Sequence, residues 1–126
     1  MRIVITSNGA GLDAPASPVF GRCPHYVFVD TETMRAETVE NLAVASGGGA
    51  GVQAAQFVIG RGAQAVVTGN VGPNAFQVFH SAAVPVHLFS GGTVREAVEA
   101  FVAGRLPLLT TATAPEHAGR GRGRSG

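Results

Sequence analysis

The sequence predicts an α/β domain: a mixed five-stranded sheet with helices on both faces. Three observations carry this reading. Five short apolar or β-branched runs are set apart by Gly, Pro, Ser and Asn, and three longer segments repeat their apolar residues at helical spacing. A chain of 126 residues that is 45% apolar supplies one core, so one domain is expected.

Residues 2–6 (RIVIT) are a β-branched run suited to a central strand, and residues 7–24, rich in Gly, Pro, Ser and Asn, read as a long functional loop. Residues 26–30 (YVFVD) make a second strand. DTETM turns it into a third at 35–41, whose alternating polar character suits a sheet edge. After Gly47, Gly48 and Gly49, the positions Val52, Ala55, Phe57, Val58 and Ile59 mark a first helix that ends at residues 60–62. Residues 65–68 are the fourth strand. A second helix carries the stripe Ala75, Phe76, Phe79, Ala82 and Ala83, and runs to about Ala83. Residues 84–89 form a fifth strand, with Pro85 favouring a start or an edge. Thr93 and Glu96 make a capping box for a third helix, whose Val94, Ala97, Val98, Phe101 and Val102 face the sheet before Gly104 stops it. Residues 105–113 trail, to pack or fray.

The order β-β-β-α-β-α-β-α with right-handed crossovers favours strand order 3-2-1-4-5 with strand 2 antiparallel, a ribonuclease-H-like three-layer fold. Strands 1, 3, 4 and 5 then end at one edge of the sheet, where the three helices begin and ligands of open α/β sheets bind. Strand 2 starts there. It brings Arg22, Cys23 and His25 to the same place.

Composition excludes several chemistries. The chain has no lysine, so a Walker loop and Schiff-base catalysis are out, and no G-x-S-x-G elbow occurs. A nuclease on this topology needs gathered carboxylates; there is no Asp or Glu between Glu40 and Glu96, and Asp30 and Glu32 lie at the far end of strand 2. One cysteine excludes a disulfide framework and a four-cysteine cluster site within one chain. GAGVQA (49–54) and GRGAQA (60–65) match the dinucleotide fingerprint only formally; the first lacks a preceding strand and a later acidic residue. No apolar run approaches the roughly 20 residues that cross a bilayer, and MRIVITS lacks a signal-peptide layout. A cytoplasmic protein is expected. The domain is placed at 1–112, with 113–126 as a Gly/Arg-rich tail whose composition argues for disorder. Arg120, Arg122 and Arg124 are read as solvated rather than as a nucleic-acid contact.

The acid-free middle of the chain, with its Arg and His residues, is receptive to anions. TGNVGPNAF (68–76) is a strand-to-helix turn in which Gly69 and Gly72 allow unusual φ values and Pro73 suits the first helical position. Gly69, Asn70, Gly72 and Asn74 there, with Gly48, Gly49 and Gly51 at the first helix start, form a candidate anion cradle. Cys23 and His25 make a C-x-H pair that reads either as metal ligands or as a packed thiol and a strand-start histidine. Arg22 beside them is placed to hold an anion or lower the thiol pKa. His80 is placed one turn into the second helix, able to add a ring nitrogen or simply solvated; His87 is structural and His117 belongs to the tail.

SPVFGRCPHYVFVD (17–30), GGGAGVQAAQ (47–56), TGNVGPNAF and SGGTVREAVEAF (90–101), in that order, resemble the dinitrogenase iron-molybdenum cofactor biosynthesis family over residues 1 to about 106. The resemblance implies the ribonuclease-H-like fold and a small, non-catalytic carrier or accessory protein. Its cargo would be iron–molybdenum cofactor, a precursor or a related sulfide cluster; one branch, the orange protein, holds a molybdenum–copper sulfide cluster non-covalently. Cofactor-assembly proteins or an ATPase are the partners it implies. The alternative from another class is a metal-free regulatory or scaffolding module that joins proteins through its edge strand or tail.

Overall fold

The computed structural model describes residues 1–42 and 50–110. The strands are β1 (Arg2–Ser7), β2 (His25–Asp30), β3 (Ala36–Glu40), β4 (Ala65–Thr68) and β5 (Val86–Leu88); the helices are α1 (Ala50–Gly60), α2 (Pro73–Ser81) and α3 (Val94–Val102). The sheet order is β3-β2-β1-β4-β5. β2 runs antiparallel to β1 and β3, whereas β1, β4 and β5 are parallel.

Alternation along the strands divides the core in two. Val4, Tyr26, Phe28 and Val66 pack with Ala54, Ala55, Val58, Ala75 and Phe79 of α1 and α2. Ile3, Ile5, Val27, Val29, Ala65 and Val67 meet Val94, Ala97 and Val98 of α3 on the other face. Each buried Val or Ile side chain contributes about 1.5–3 kcal/mol, and both faces are apolar because both are covered.

Several elements are shorter than expected, for local reasons. α2 ends at Ser81 because Ala83 turns to φ 58° and the Ala83 and Val84 N–H groups close back on His80 and Phe79 carbonyls. β5 starts only at Val86, since Val84 is used in that closure. Residues 107–109 pack rather than fray: Leu88 N–H donates to Pro107 and Leu109 N–H to Val86, adding a short antiparallel cover to the β5 edge. In α1, Phe57 lies half out over the Arg61 guanidinium, and Ala54 takes the buried place. None of the helices among the described residues is long and apolar enough to cross a membrane.

The register positions the functional edge. Ser7 of β1 stands opposite His25, which stands opposite Glu40 of β3, and Thr68 pairs with Leu88. The ends of β1, β3, β4 and β5 and the start of β2 therefore coincide, while Asp30 lies opposite Arg2 at the far end.

Candidate functional site

The loop between β1 and β2 is stitched down along its length. Ser17 N–H donates to Thr6, Ala16 N–H to Gly92, and Phe20 N–H to Asn70. Thr6 Oγ1 donates to the Ser17 carbonyl at 2.6 Å and lies 2.9 Å from Thr68 Oγ1. Residues 17–21 thus run beside the turn that follows β4, and Val19 forms a parallel bridge with Asn70.

That turn is built for close approach. Neither Gly69 nor Gly72 has a positive φ, contrary to the conformational reason expected for them. Gly69 is required because a Cβ there would meet the Pro18 backbone. Gly72, at φ −71°, is the N-cap of α2; it offers no side-chain cap, and a Cβ there would meet nothing within 4 Å. Pro73 follows it at the start of the helix. The Asn74 and Ala75 N–H groups have no acceptor among the described residues and lie at the positive end of the α2 dipole, Asn74 exposed and Ala75 buried. Asn74 is exposed, and Asn70 is half-buried with its carbonyl taken by Phe20. Gly51, in the first turn of α1, lies against Ala75: a Cβ there would stand 3.5 Å from the Ala75 Cβ. Gly48 and Gly49 lie outside the described residues, as do residues 113–126.

The third helix start is different. Thr93 Oγ1 accepts from Glu96 N–H and Glu96 Oε1 from Thr93 N–H, completing the expected capping box. Val94 and Arg95 N–H groups donate to Ala14 and Leu12 carbonyls. The α3 amino end is closed to a ligand, and the convergence of helix starts reduces to α1 and α2.

Cys23 and His25 are not brought to one point. Cys23 is buried at 1% exposure in the cluster of Phe20, Tyr26, Val71 and Ala75. His25 precedes Tyr26 in β2, so alternation directs it to the opposite face, in the row with Ser7 and Glu40. Its Nδ1 is buried without a hydrogen-bond partner. Burial pushes the Cys23 thiol pKa up, the reverse of the lowering expected from Arg22, whose side chain is exposed on the adjacent loop position. The Tyr26 hydroxyl lies close to the Cys23 sulfur and the Gly21 backbone without hydrogen-bond geometry to either; burial raises its pKa strongly. Among the described residues, no three His, Cys, Asp or Glu side chains gather as a metal-ion site.

His80 does not join the turn. It sits in the last turn of α2, about 10 Å along the helix from Pro73 at 1.5 Å per residue, exposed and stacked on Phe76. There it borders a cavity of about 450 Å³ with Ala83, Val84 and Pro85. His87 makes an edge contact with Phe101 at 5.0 Å, a structural role as expected.

Sequence reasoning missed Asn41. Its Nδ2 donates to the Gly21 carbonyl at 3.1 Å and the Cys23 carbonyl at 2.8 Å, and its N–H donates to Pro24 at 2.9 Å. A buried asparagine directly after an edge strand is the signal that would have found it, but burial is not visible in the chain.

Residues 1–104 match the family model described as dinitrogenase iron-molybdenum cofactor. The chain is 41% identical to the orange protein of Desulfovibrio gigas, solved in its apo form; the match covers 90% of this chain and 96% of that one, with a TM-score of 0.86. It is 40% identical to a Thermotoga protein solved by NMR as a candidate NifB protein, covering 90% and 97% with a TM-score of 0.78. An uncharacterised protein of Methanocaldococcus jannaschii is 30% identical over 93 residues, 71% of this chain and 79% of its own.

Proposed function

The chain belongs to the dinitrogenase iron-molybdenum cofactor family, and on that premise we propose that it is a small, non-catalytic accessory or carrier protein that reversibly holds an anionic metal–sulfide cluster. The cargo is an iron–molybdenum–sulfur cluster, a precursor of it, or a molybdenum–copper–sulfur cluster. The observation that carries this reading is the bare amino end of α2, where Gly72 supplies no side-chain cap and has open space on its Cβ side, and the Asn74 and Ala75 N–H groups have no acceptor among the described residues. Such an end attracts negative charge through its dipole and unsatisfied donors. Arg22, exposed on the loop alongside, adds a positive charge, and Gly51 marks the neighbouring start of α1. Cys23 is the soft ligand within the same packed region. His25, on the other face, contributes no ligand in this conformation.

Capture by main-chain donors and arginine suits a carrier, because it holds cargo without the thiolate cage that would make release slow. The protein is proposed to act in the cytoplasm with cofactor-assembly proteins or an ATPase.

The test is anaerobic reconstitution of the apo-protein with tetrathiomolybdate and copper(I), followed by desalting, visible spectroscopy and metal analysis. Cluster should be retained at low salt and released as ionic strength rises and the Debye length falls below about 10 Å. Arg22→Ala and Gly72→Val should each weaken retention. No retention of any thiometallate or iron–sulfur precursor would overturn the reading in favour of a metal-free module that binds partner proteins.

A further inference from the structure

We infer that Asn41 is a latch: by holding the loop of residues 21–24 closed it keeps Cys23 inside the core, so that the thiol is presented only when this loop opens locally. The inference rests on the reading of Cys23 as a ligand and concerns how that ligand is regulated.

Three observations carry it. Asn41 is 4% exposed and takes three of the loop's four carbonyls, Gly21 and Cys23 through Nδ2 and Pro24 through its own N–H. Few other described hydrogen bonds hold this loop; Gly21 turns it at φ 89°, a conformation that suits a hinge made of glycine. Arg22 and Pro24 are exposed on either side of the buried Cys23, so the loop is a thin cover rather than part of the deep core. The closed state also carries a poorly met requirement: the Tyr26 hydroxyl is fully buried beside the Cys23 sulfur and the Gly21 backbone, and neither meets it with hydrogen-bond geometry. A buried hydroxyl left unpaired opposes burial, and opening the loop would let water reach it. One residue's hydrogen bonds therefore offset a local cost, which is the arrangement of a two-state element rather than of a uniformly stable turn.

Asn41 directly follows β3, whose last residue Glu40 stands opposite His25.

The experiment is the rate of Cys23 labelling by a disulfide reagent in the apo full-length chain, measured against urea; because no cargo is added, its failure is distinct from failure of the cluster reading. Wild-type protein should label at least about a hundredfold more slowly than the unfolded chain, at a rate independent of urea below the unfolding transition, which is the signature of local opening. Asn41→Ala should label about tenfold faster or more, as expected for losing two hydrogen bonds, again with a rate flat against urea. Labelling of the wild type at the unfolded-chain rate would overturn the latch, since the thiol would not be concealed. A wild-type rate that climbs with urea as global unfolding does would also overturn it, and this measurement decides the matter even where the variant does not fold.

Discussion

Gly69 and Pro18 touch backbone to backbone: a Cβ on Gly69 would stand 2.5 Å from the Pro18 carbonyl oxygen and 2.7 Å from its Cα. Both partners are main chain, so neither can rotate away. Gly69→Ala should therefore push residues 17–21 off the turn and cost about 1–3 kcal/mol, the range for overpacking. Denaturant unfolding checks this; an unchanged midpoint would show that the two segments separate freely.

Gly72 is the opposite case, with nothing within 4 Å of its Cβ direction. Gly72→Ser should leave stability equal or a few tenths of a kcal/mol higher, because serine is an effective N-cap. The same hydroxyl competes for the N–H groups offered to an anion, so thiometallate retention should fall. Retention equal to wild type would remove the α2 amino end from the site.

The capping box of α3 separates stability from cargo. Thr93→Ala should cost about 1 kcal/mol by losing the bond to Glu96 N–H. Cluster retention at low salt should not change, since the first N–H groups of α3 are already taken by Ala14 and Leu12. A large loss of retention in a folded variant would place α3 at the site after all.

Ala83 is an exposed non-glycine residue at φ 58°. The left-handed region costs an L-residue about 1–2 kcal/mol, partly returned in the unfolded chain by the greater freedom of glycine. Ala83→Gly should thus raise stability by up to about 1 kcal/mol, read as a higher melting temperature.

Glu37 bridges two arginines, Arg2 at 3.1 Å and Arg61 at 2.8 Å. The Arg2 hydrogen bond, followed by the Arg61 and Arg2 charges, holds its carboxyl below its ordinary 4.5. A depressed folded value means that the stabilisation is complete above the unfolded pKa and is lost as pH falls through the folded one. Acid should weaken the fold below about pH 4.5, and Glu37→Gln should flatten that part of the pH–stability curve. The bridge is solvent-exposed, so salt should reduce its effect. A variant whose acid limb matches the wild type would show that the bridge carries no stability.

The sequence by itself determined the element order, the sheet topology and the edge where strand ends meet, because these follow from apolar period, glycine and proline punctuation and the handedness of crossovers. Thr93 and Glu96 were legible as a cap because a capping box lies within four consecutive residues. Tertiary structure alone decided which glycine is constrained and by what: Gly69 answers to Pro18, fifty-one positions away in the chain. It also decided that the C-x-H pair divides between two faces, since Cys23 lies before β2 and is turned inward by a loop held from Asn41. His80, expected one turn into α2, lies two turns from Pro73 in the last turn of the helix, a distance that the spacing of seven residues already contained. Local chemistry is written in neighbouring residues; burial, close approach and the side on which a loop residue points depend on partners distant in the chain, and those exist only after the sheet has formed.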